Sequence, residues 1–402
     1  MSLEGSFDLD VAIVGGGPAG TSTALHLTRR EGIAPERVAI FDKARHPREK
    51  PCAGAVSGWG VRALAALGLA IEVPNVPMRG LRVLDGDHRG ASAWDGASAL
   101  SGLGAVVRRS EFDASLWKRA ADVGVGVHDG EALVDLARVP GGWSITTTRR
   151  TVRAHFVAAC DGAGSTVRKR LGLPEAARKG HLYVLETAPG DRDDGARASL
   201  CDFDMTPCAW GLEGYYWDFP TIIDGAPHVS RGIYHANFTP RPDVKAQLGR
   251  ALAARGVDIA QVKLKPFSTR PFVPASMLAL DRVALVGEAA GIDATTGEGI
   301  AQAILFGGIA AHHLAQGLRL GQGSLDGYAR DIRQSRVGRH LLQSAWLAKV
   351  VYGPHGAPWR RFLARRDRAR EAGMRWYAGE RLGWAAKSRL ALGLVREVLP
   401  VS

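Results

Sequence analysis

The sequence predicts an α/β fold: a parallel nucleotide-binding sheet laid down in pieces, a β-rich unit inserted between the pieces, and a helical extension behind them. Three observations carry this. The chain opens on a strand, a glycine turn, a helix and a second strand over residues 10–42. The same pattern, an apolar run followed by glycines, returns near residues 155–172 and 282–315. Between these returns, residues 176–275 read as mostly aromatic and proline-bearing strands.

Val11-Ala-Ile-Val14 is a continuous apolar run, as expected of a strand buried on both faces of a parallel sheet. Ala24, Leu25 and Leu27 give the next segment an inward helical face, and Arg37-Val-Ala-Ile-Phe-Asp42-Lys43 is the following strand. The whole is a βαβ unit. Its turn holds Gly15, Gly17 and Gly20 in the pattern G-x-G-x-x-G. The first glycine permits the tight turn, the second lets the backbone approach a pyrophosphate, and the third lets helix and strand pack closely. The free N–H groups and positive end of the helix then face the phosphates, so Pro18 and Ala19 are expected beside them. Asp42 follows Gly20 by 22 residues at a strand end, where a carboxylate accepts hydrogen bonds from ribose hydroxyls. With these flanks the turn predicts a Rossmann-type dinucleotide site, but it does not separate FAD from NAD.

Residues 71–103 read as short strands and glycine-rich turns, and the stretch from Arg108 as a helix. A strand pair follows around Gly142-Trp-Ser-Ile-Thr-Thr147. In the inserted region one helix is expected near residues 243–256. Tyr215 and Trp217 alternate with Tyr216 and Asp218, so the two pairs face opposite ways. Either Tyr215, Trp217, Phe219 and Pro220 wall an apolar pocket, with Thr296 near them, or these rings fill the core of the β-rich unit.

Four stretches in this order resemble the FAD-dependent oxidoreductases related to aromatic hydroxylases, flavin-dependent halogenases and geranylgeranyl reductases. The first is the Gly15–Gly20 turn. The second is Arg109-Ser-Glu-Phe-Asp113-Ala-Ser-Leu116, similar to R-x-x-F-D-x-x-L. The third is Asp161-Gly162-Ala-Gly-Ser-Thr-Val-Arg168, similar to D-G-A-x-S-x-V-R. The fourth is Gly287-Glu288-Ala-Ala-Gly291 followed by Gly297-Glu298-Gly299-Ile300, similar to G-D-A-A-G … G-E-G-I. The resemblance covers about residues 8–330 and implies FAD on a glutathione-reductase-like domain. It implies cofactor contacts from Lys43, Arg109, Asp161, Gly162, Gly287, Glu288, Gly291, Gly297, Gly299 and Ile300. Glu288 stands where the family has aspartate, which shifts the carboxylate by one methylene.

Two more stretches favour the geranylgeranyl reductase branch. Arg48-Glu-Lys50-Pro-Cys52-Ala53-Gly54 resembles R-x-K-x-C-G-G, with Ala53 replacing a glycine, and Tyr215–Pro220 resembles Y-x-W-x-F-P. A similar W-x-W-x-I-P occurs in halogenases, but the G-E-S segment that often follows their first turn is missing here. The first of these stretches implies that Lys50, Cys52 and Ala53 lie near the flavin. Cys52 is then the candidate to touch substrate and Lys50 the candidate positioned cation; without that role Cys52 is a small hydrophobe.

The expected organisation is an FAD-binding domain from residues 1–70, 104–175 and 276–330, a β-rich substrate domain from 71–103 and 176–275, and a helical basic extension over 331–402. The expected chemistry is reduction or dehydrogenation of a small apolar substrate, prenyl or polycyclic. A monooxygenase or halogenase working through a flavin hydroperoxide is the first alternative, and a non-catalytic flavin-binding partner protein the second. No second dinucleotide turn appears, so NAD(P)H would bind transiently or an electron-donor protein would reduce the flavin.

Composition sets the remaining bounds. The four cysteines are scattered without C-x-x-C spacing and the twelve histidines show no ligand spacing, so neither disulfides nor a metal are expected. The absence of a membrane span and of a signal peptide predicts a cytoplasmic protein. Of the net charge of +12, residues 331–402 carry 15 Lys/Arg against 5 Asp/Glu. These read as the solvated face of helices, not as a nucleic-acid surface. Trp346, Trp359, Trp376 and Trp384 among them either pack onto the flavin domain or offer peripheral contact with a membrane that would suit a lipid substrate.

Overall fold

Five strands pair in parallel, and the inner ones are apolar runs that hide both of their faces. In spatial order the five are Val283–Leu285, Thr151–Ala159, Leu9–Val14, Val38–Phe41 and Gly126–His128. This architecture comes from a computed structural model, which describes residues 7–94, 102–239 and 243–398. Residues 1–6 and 399–402, residues 95–101 of the expected strand-and-turn stretch, and residues 240–242 lie outside the described residues. The expected pair around Trp143 forms as Leu133–Val139 and Gly142–Thr147 and extends the sheet antiparallel from Thr151–Ala159.

Helices Pro18–Arg29 and Ile300–Leu320 cover one side of this sheet and press on each other. Ser22 Oγ donates to the Ile304 carbonyl at 2.8 Å. A methyl group at Gly307 would lie 2.7 Å from Ser22 Oγ, so the small residue sets how near the helices come.

A second sheet holds seven strands in the order Lys265–Thr269, Gly180–Thr187, Ala226–His235, Gly214–Ile223, Leu200–Asp204, Gly80–Asp85 and His88–Ala93. The alternation read from the sequence divides its central strand. Tyr215, Trp217 and Phe219 join one apolar cluster, while Tyr216 joins another beneath helix Val244–Ala253. On that second face Asp218 belongs to a buried ionic network. Arg231, 1% exposed, reaches Asp218 at 2.5 Å and Asp193 at 2.6 Å. Arg255 reaches Asp218 and Asp204, each at 2.8 Å. The Tyr216 hydroxyl donates to Asp218 at 2.6 Å.

The C-terminal extension forms helices Asp326–Gln334, Arg336–Tyr352, Ala357–Arg365, Asp367–Tyr377 and Trp384–Val398. Its packing differs from expectation in two ways. Trp359 and Trp376 pack with the aromatic cluster of the second sheet, not onto the flavin domain, because helices Ala357–Arg365 and Asp367–Tyr377 lie on strands Gly80–Asp85 and His88–Ala93. The basic residues are also not all a solvated face. Arg360 is buried with its Nε 3.3 Å from Asp85, and buried Arg370 donates to the Ala364 carbonyl at 2.7 Å. Trp346 and Trp384 do remain outside, at 59% and 84% exposure.

Removing one member of a buried ion pair leaves the partner charge uncompensated and costs about 3–5 kcal/mol. Arg231→Met, which strips Asp193 of its cation and leaves Asp218 with Arg255 alone, should therefore lower the urea-unfolding midpoint of the second sheet. An unchanged midpoint would show that the network contributes nothing to stability.

Candidate active site at the junction of the two sheets

A cavity of about 470 Å³ opens where the carboxyl ends of the parallel strands meet the aromatic face of the second sheet. Strand Leu9–Val14 delivers the first glycine turn into it. Gly15 has φ +106°, and a Cβ there would collide with the Cys160 carbonyl of the adjacent strand. That position therefore needs glycine on two grounds. The helix that follows starts at Pro18 with no side-chain cap and no acidic residue in its first turn, so its N–H groups stay available to an anion. Helix Ile300–Leu320 starts in the same way, capped only by Gly299, which also lines the cavity.

Asp42 stands at the end of the second strand. Its Oδ2 accepts from the Gly16 N–H and its Oδ1 from the Ala44 N–H, at 2.7 and 2.8 Å. Burial alone would raise this carboxyl, but the hydrogen bonds and nearby Arg48 outweigh it and hold the group below the usual carboxylate range. Asp113 is fully buried beneath the cavity floor and orients two arginines. It accepts a bidentate pair from Arg109, both bonds 2.8 Å, and lies 3.0 Å from Arg48 Nη2. Cys52 Sγ lies beside this pair and accepts from the Gly54 N–H at 3.4 Å; burial would lower Arg109, and the Asp113 carboxylate outweighs it and raises the guanidinium.

Opposite, Lys50 Nζ lies 3.2 Å from Glu288 and 3.8 Å from the centre of the Phe267 ring. Burial lowers the lysine, and Glu288 offsets part of that. The longer side chain at position 288 thus reaches a cation across the cavity. The apolar wall is Tyr215, Trp217 and Phe219, backed by Phe203, Tyr234 and Leu182. The Tyr215 hydroxyl donates to the Thr296 carbonyl at 2.5 Å and the Tyr234 hydroxyl to the Ala294 carbonyl at 3.0 Å, which locks both rings.

Most of the predicted residues line this one cavity: Gly15, Gly17, Pro18 and Ala19 of the turn, Asp42 and Lys43 after the second strand, and Lys50, Cys52 and Ala53 of the following loop. Arg109, Asp161 and Gly162 join them, as do Glu288, Thr296, Gly297, Gly299 and Ile300. Gly20, Gly287, Gly291 and Pro220 do not. Gly20 sits against the Gly15 carbonyl, Gly287 against Ala19, and Gly291 against the Phe272 backbone, so these three are packing positions. Pro220 follows Phe219, and the two-residue period of a strand turns it to the other face. Asp113, Arg48, Glu298, Tyr234 and Tyr377 were not singled out. The first three fall inside the quoted motifs, whereas Tyr377 comes from the extension and carries no local signal.

These residues fit FAD. Asp161 Oδ1 and Arg48 Nε are buried at the cavity without a hydrogen-bond partner among the described residues, an unusual cost that a bound polar group would relieve. A Cβ at Gly162 would meet nothing closer than 3.7 Å, leaving open room over that turn, whereas one at Gly17 would crowd Arg48 Nη2 at 3.0 Å.

Residues 8–193 match the FAD binding domain family. A menaquinone reductase of Mycobacterium tuberculosis (strain H37Rv) is 28% identical over 78% of this chain and 78% of its own. A chloroplastic geranylgeranyl diphosphate reductase of Nicotiana tabacum is 26% identical over 79% and 68%. Among solved structures, a geranylgeranyl bacteriochlorophyll reductase-like protein of Thermoplasma acidophilum superposes with a TM-score of 0.69, covering 99% of this chain and 98% of that one at 21% identity. A flavin-dependent halogenase and a p-nitrophenol 4-monooxygenase share the fold too, at 20% and 17% identity. The chain thus carries an FAD binding domain and is similar, at low identity, to proteins named geranylgeranyl diphosphate reductase and menaquinone reductase.

Replacing Asp42 with alanine should weaken FAD binding about 10- to 100-fold, the equivalent of losing a charged hydrogen bond worth about 1.5–3 kcal/mol. Recovery of flavin fluorescence on dilution measures this. Unaltered retention with an unaltered circular dichroism spectrum would remove Asp42 from the cofactor site.

Proposed function

We propose that the protein is a reductase that saturates carbon–carbon double bonds in a largely apolar, prenyl-type substrate. The observation that supports this is the continuity of the cavity. One stretch of wall is glycine backbone and helix N-termini suited to a dinucleotide. The next is an unbroken set of rigid rings, Tyr215, Trp217, Phe219 and Phe203, suited to an apolar chain. The names of the relatives, reductases of a prenyl diphosphate and of a prenylated quinone, point the same way.

Bound FAD would supply the hydride. The glycine turn and the two helix N-termini would hold the pyrophosphate, and Asp42 the ribose. Glu288, held by Lys50, would meet the cofactor's polyol chain. Arg109 and Arg48, fixed by Asp113, would place positive charge along the cofactor without free rotation. The aromatic wall would orient the substrate and exclude water, and Cys52 is placed where both surfaces meet. The flavin would be re-reduced by NAD(P)H binding transiently, or by an electron-donor protein. The exposed Trp346 and Trp384 offer a place for peripheral contact with a membrane holding such a substrate.

A monooxygenase is the second reading, favoured by Lys50, a cation with a lowered proton affinity set into the cavity wall. Anaerobic mixing of the reduced protein with a geranylgeranyl-chain substrate separates the two. Saturated product, two hydrogens heavier per double bond, with concomitant flavin reoxidation supports the reductase. Product formed only in air and carrying oxygen overturns it. Under the reductase reading Trp217→Ala should raise KM at least about tenfold, as for loss of a buried aromatic anchor. Lys50→Ala should abolish product only under the monooxygenase reading.

A further inference from the structure

Adding a hydride to one carbon of a double bond requires a proton for the other, and the cavity must hold its source. Most of the carboxyls lining it are already engaged by cations or backbone donors. Asp42 accepts two N–H groups beside Arg48, Glu288 is paired with Lys50, and Glu49 lies 3.1 Å from Lys265. Asp161, which burial also raises, accepts from the Val167 N–H at 3.0 Å at the second glycine turn. Glu298 differs in standing beside the aromatic wall, next to Tyr215. It lines the same cavity at 8% exposure, and the described hydrogen-bond donors to its carboxyl are neutral: Gln302 Nε2 at 3.0 Å and the Ser57 N–H at 3.4 Å. Next to it, the Ser57 hydroxyl and the Gln302 Oε1 acceptor are buried without a hydrogen-bond partner. An ionised carboxylate can accept from the hydroxyl but cannot serve Gln302 Oε1; a carboxylic acid can donate to either.

The neighbours favour the neutral acid. Asp293 lies deeper, 1% exposed, and accepts from the Thr295 and Thr296 N–H groups at 2.7 Å each, with His340 Nε2 3.3 Å away. Burial pushes the Asp293 carboxyl up, but His340 and these N–H groups outweigh it, so it stays ionised. Burial, with the Asp293 charge behind it, pushes Glu298 up to about 7, against hydrogen bonds from Ser57 and Gln302 and the nearby His340. Two carboxyls on one loop are thus driven apart in proton affinity, the arrangement that assigns an acid and a fixed charge. The remaining titratable groups facing Glu298 are Tyr215 and Tyr377 from the second sheet and the extension. Burial raises both hydroxyls, and Tyr215 already donates to Thr296, so they are poorer acids.

We propose that Glu298 is the proton donor to the substrate carbon next to the one that receives the hydride, a role that rests on the reductase reading. In the step, the substrate π bond breaks as one carbon takes the hydride that bound reduced FAD would supply, which would leave the flavin oxidised. The Glu298 O–H bond breaks with its electron pair left on the carboxylate, and a C–H bond forms at the second carbon. The substrate gains two hydrogens, and the carboxylate takes its proton back from water between turnovers.

Infrared spectra of the FAD-loaded full chain without substrate give a readout apart from turnover. A carboxylic C=O band should be present at pH 6, vanish with a midpoint near 7, and be missing in Glu298→Gln. Anaerobic single turnover should slow about 10²–10⁴-fold in Glu298→Gln, the usual worth of a positioned acid. The FAD spectrum and KM should be little changed, and Glu298→Asp should recover part of the rate. The wild-type rate should fall as pH rises through 7, since only the protonated form donates. No titrating band in the wild type, or a Gln variant with wild-type rate and pH profile, overturns the proposal. A wild type that yields no saturated product overturns the reductase reading and this role together; the infrared band, read without substrate, tells that outcome from a misassigned acid.

Discussion

The register between strands Leu9–Val14 and Thr151–Ala159 is the constraint on which the rest of the molecule depends. Val14 is opposite Ala159, so the two strands end side by side, with Gly15 against the Cys160 carbonyl. Because both strands run the same way, the turns that leave them open on the same edge of the sheet. Strand Val283–Leu285, parallel beyond them, brings the Gly287–Ala289 turn to that edge as well. Three glycine turns separated by more than a hundred residues at each step thus meet because parallel pairing leaves them no other place, which is why ligands of such sheets lie beyond the carboxyl ends of the strands. A one-residue slip would bring Val14 or Gly16 against Cys160 in place of Gly15 and move the Asp161 turn away from the helix N-terminus.

The second sheet completes the site through a different rule. Its central strand must offer a dry aromatic face to the cavity, yet it is buried on both sides. The alternation of side chains resolves this by giving the far face to charge. Asp218, Arg231, Asp193, Arg255 and Asp204 satisfy one another under helix Val244–Ala253. A buried network of this kind is weak support for stability but strong support for register. Sliding the strand by one residue would turn Asp218 into the cavity and Trp217 into the salt bridges.

Legibility in the sequence followed the same division. The glycine turns were readable because a turn's chemistry is local, and the Tyr215–Phe219 face because its period is two. Pro220 was grouped with that face because it completes a motif, although the period assigns it to the back. Gly20, Gly287 and Gly291 were expected at the cofactor, but motif positions also include glycines whose task is to let elements touch. Asp113 and Glu298 stood inside motifs without being singled out, because their roles depend on which charges reach them in space. Tyr377 had no signal at all, since helix Asp367–Tyr377 reaches the cavity through tertiary packing, on the second sheet and against Arg62 and Trp59.

That packing gives the extension a task beyond covering apolar surface. The loop from Asp293 to Glu298 carries both carboxyls of opposite proton affinity and is short of regular structure of its own. Beyond the N–H groups that Asp293 and Thr296 take within the loop, its backbone is satisfied from outside. Ser344 Oγ accepts from the Ala294 and Thr295 N–H groups at 3.1 and 3.0 Å, and the Tyr352 hydroxyl donates to the Thr295 carbonyl at 2.6 Å. Tyr215 and Tyr234 hold the neighbouring carbonyls from the second sheet. His340, stacked on Trp376 at 4.1 Å, sets the charge on Asp293. The loop is therefore positioned by the extension and by the substrate sheet at once, and anything that loosens helix Arg336–Tyr352 disturbs the cavity floor before it disturbs the nucleotide turns. In this molecule the distant C-terminal helices belong to the site as directly as the glycines at its beginning.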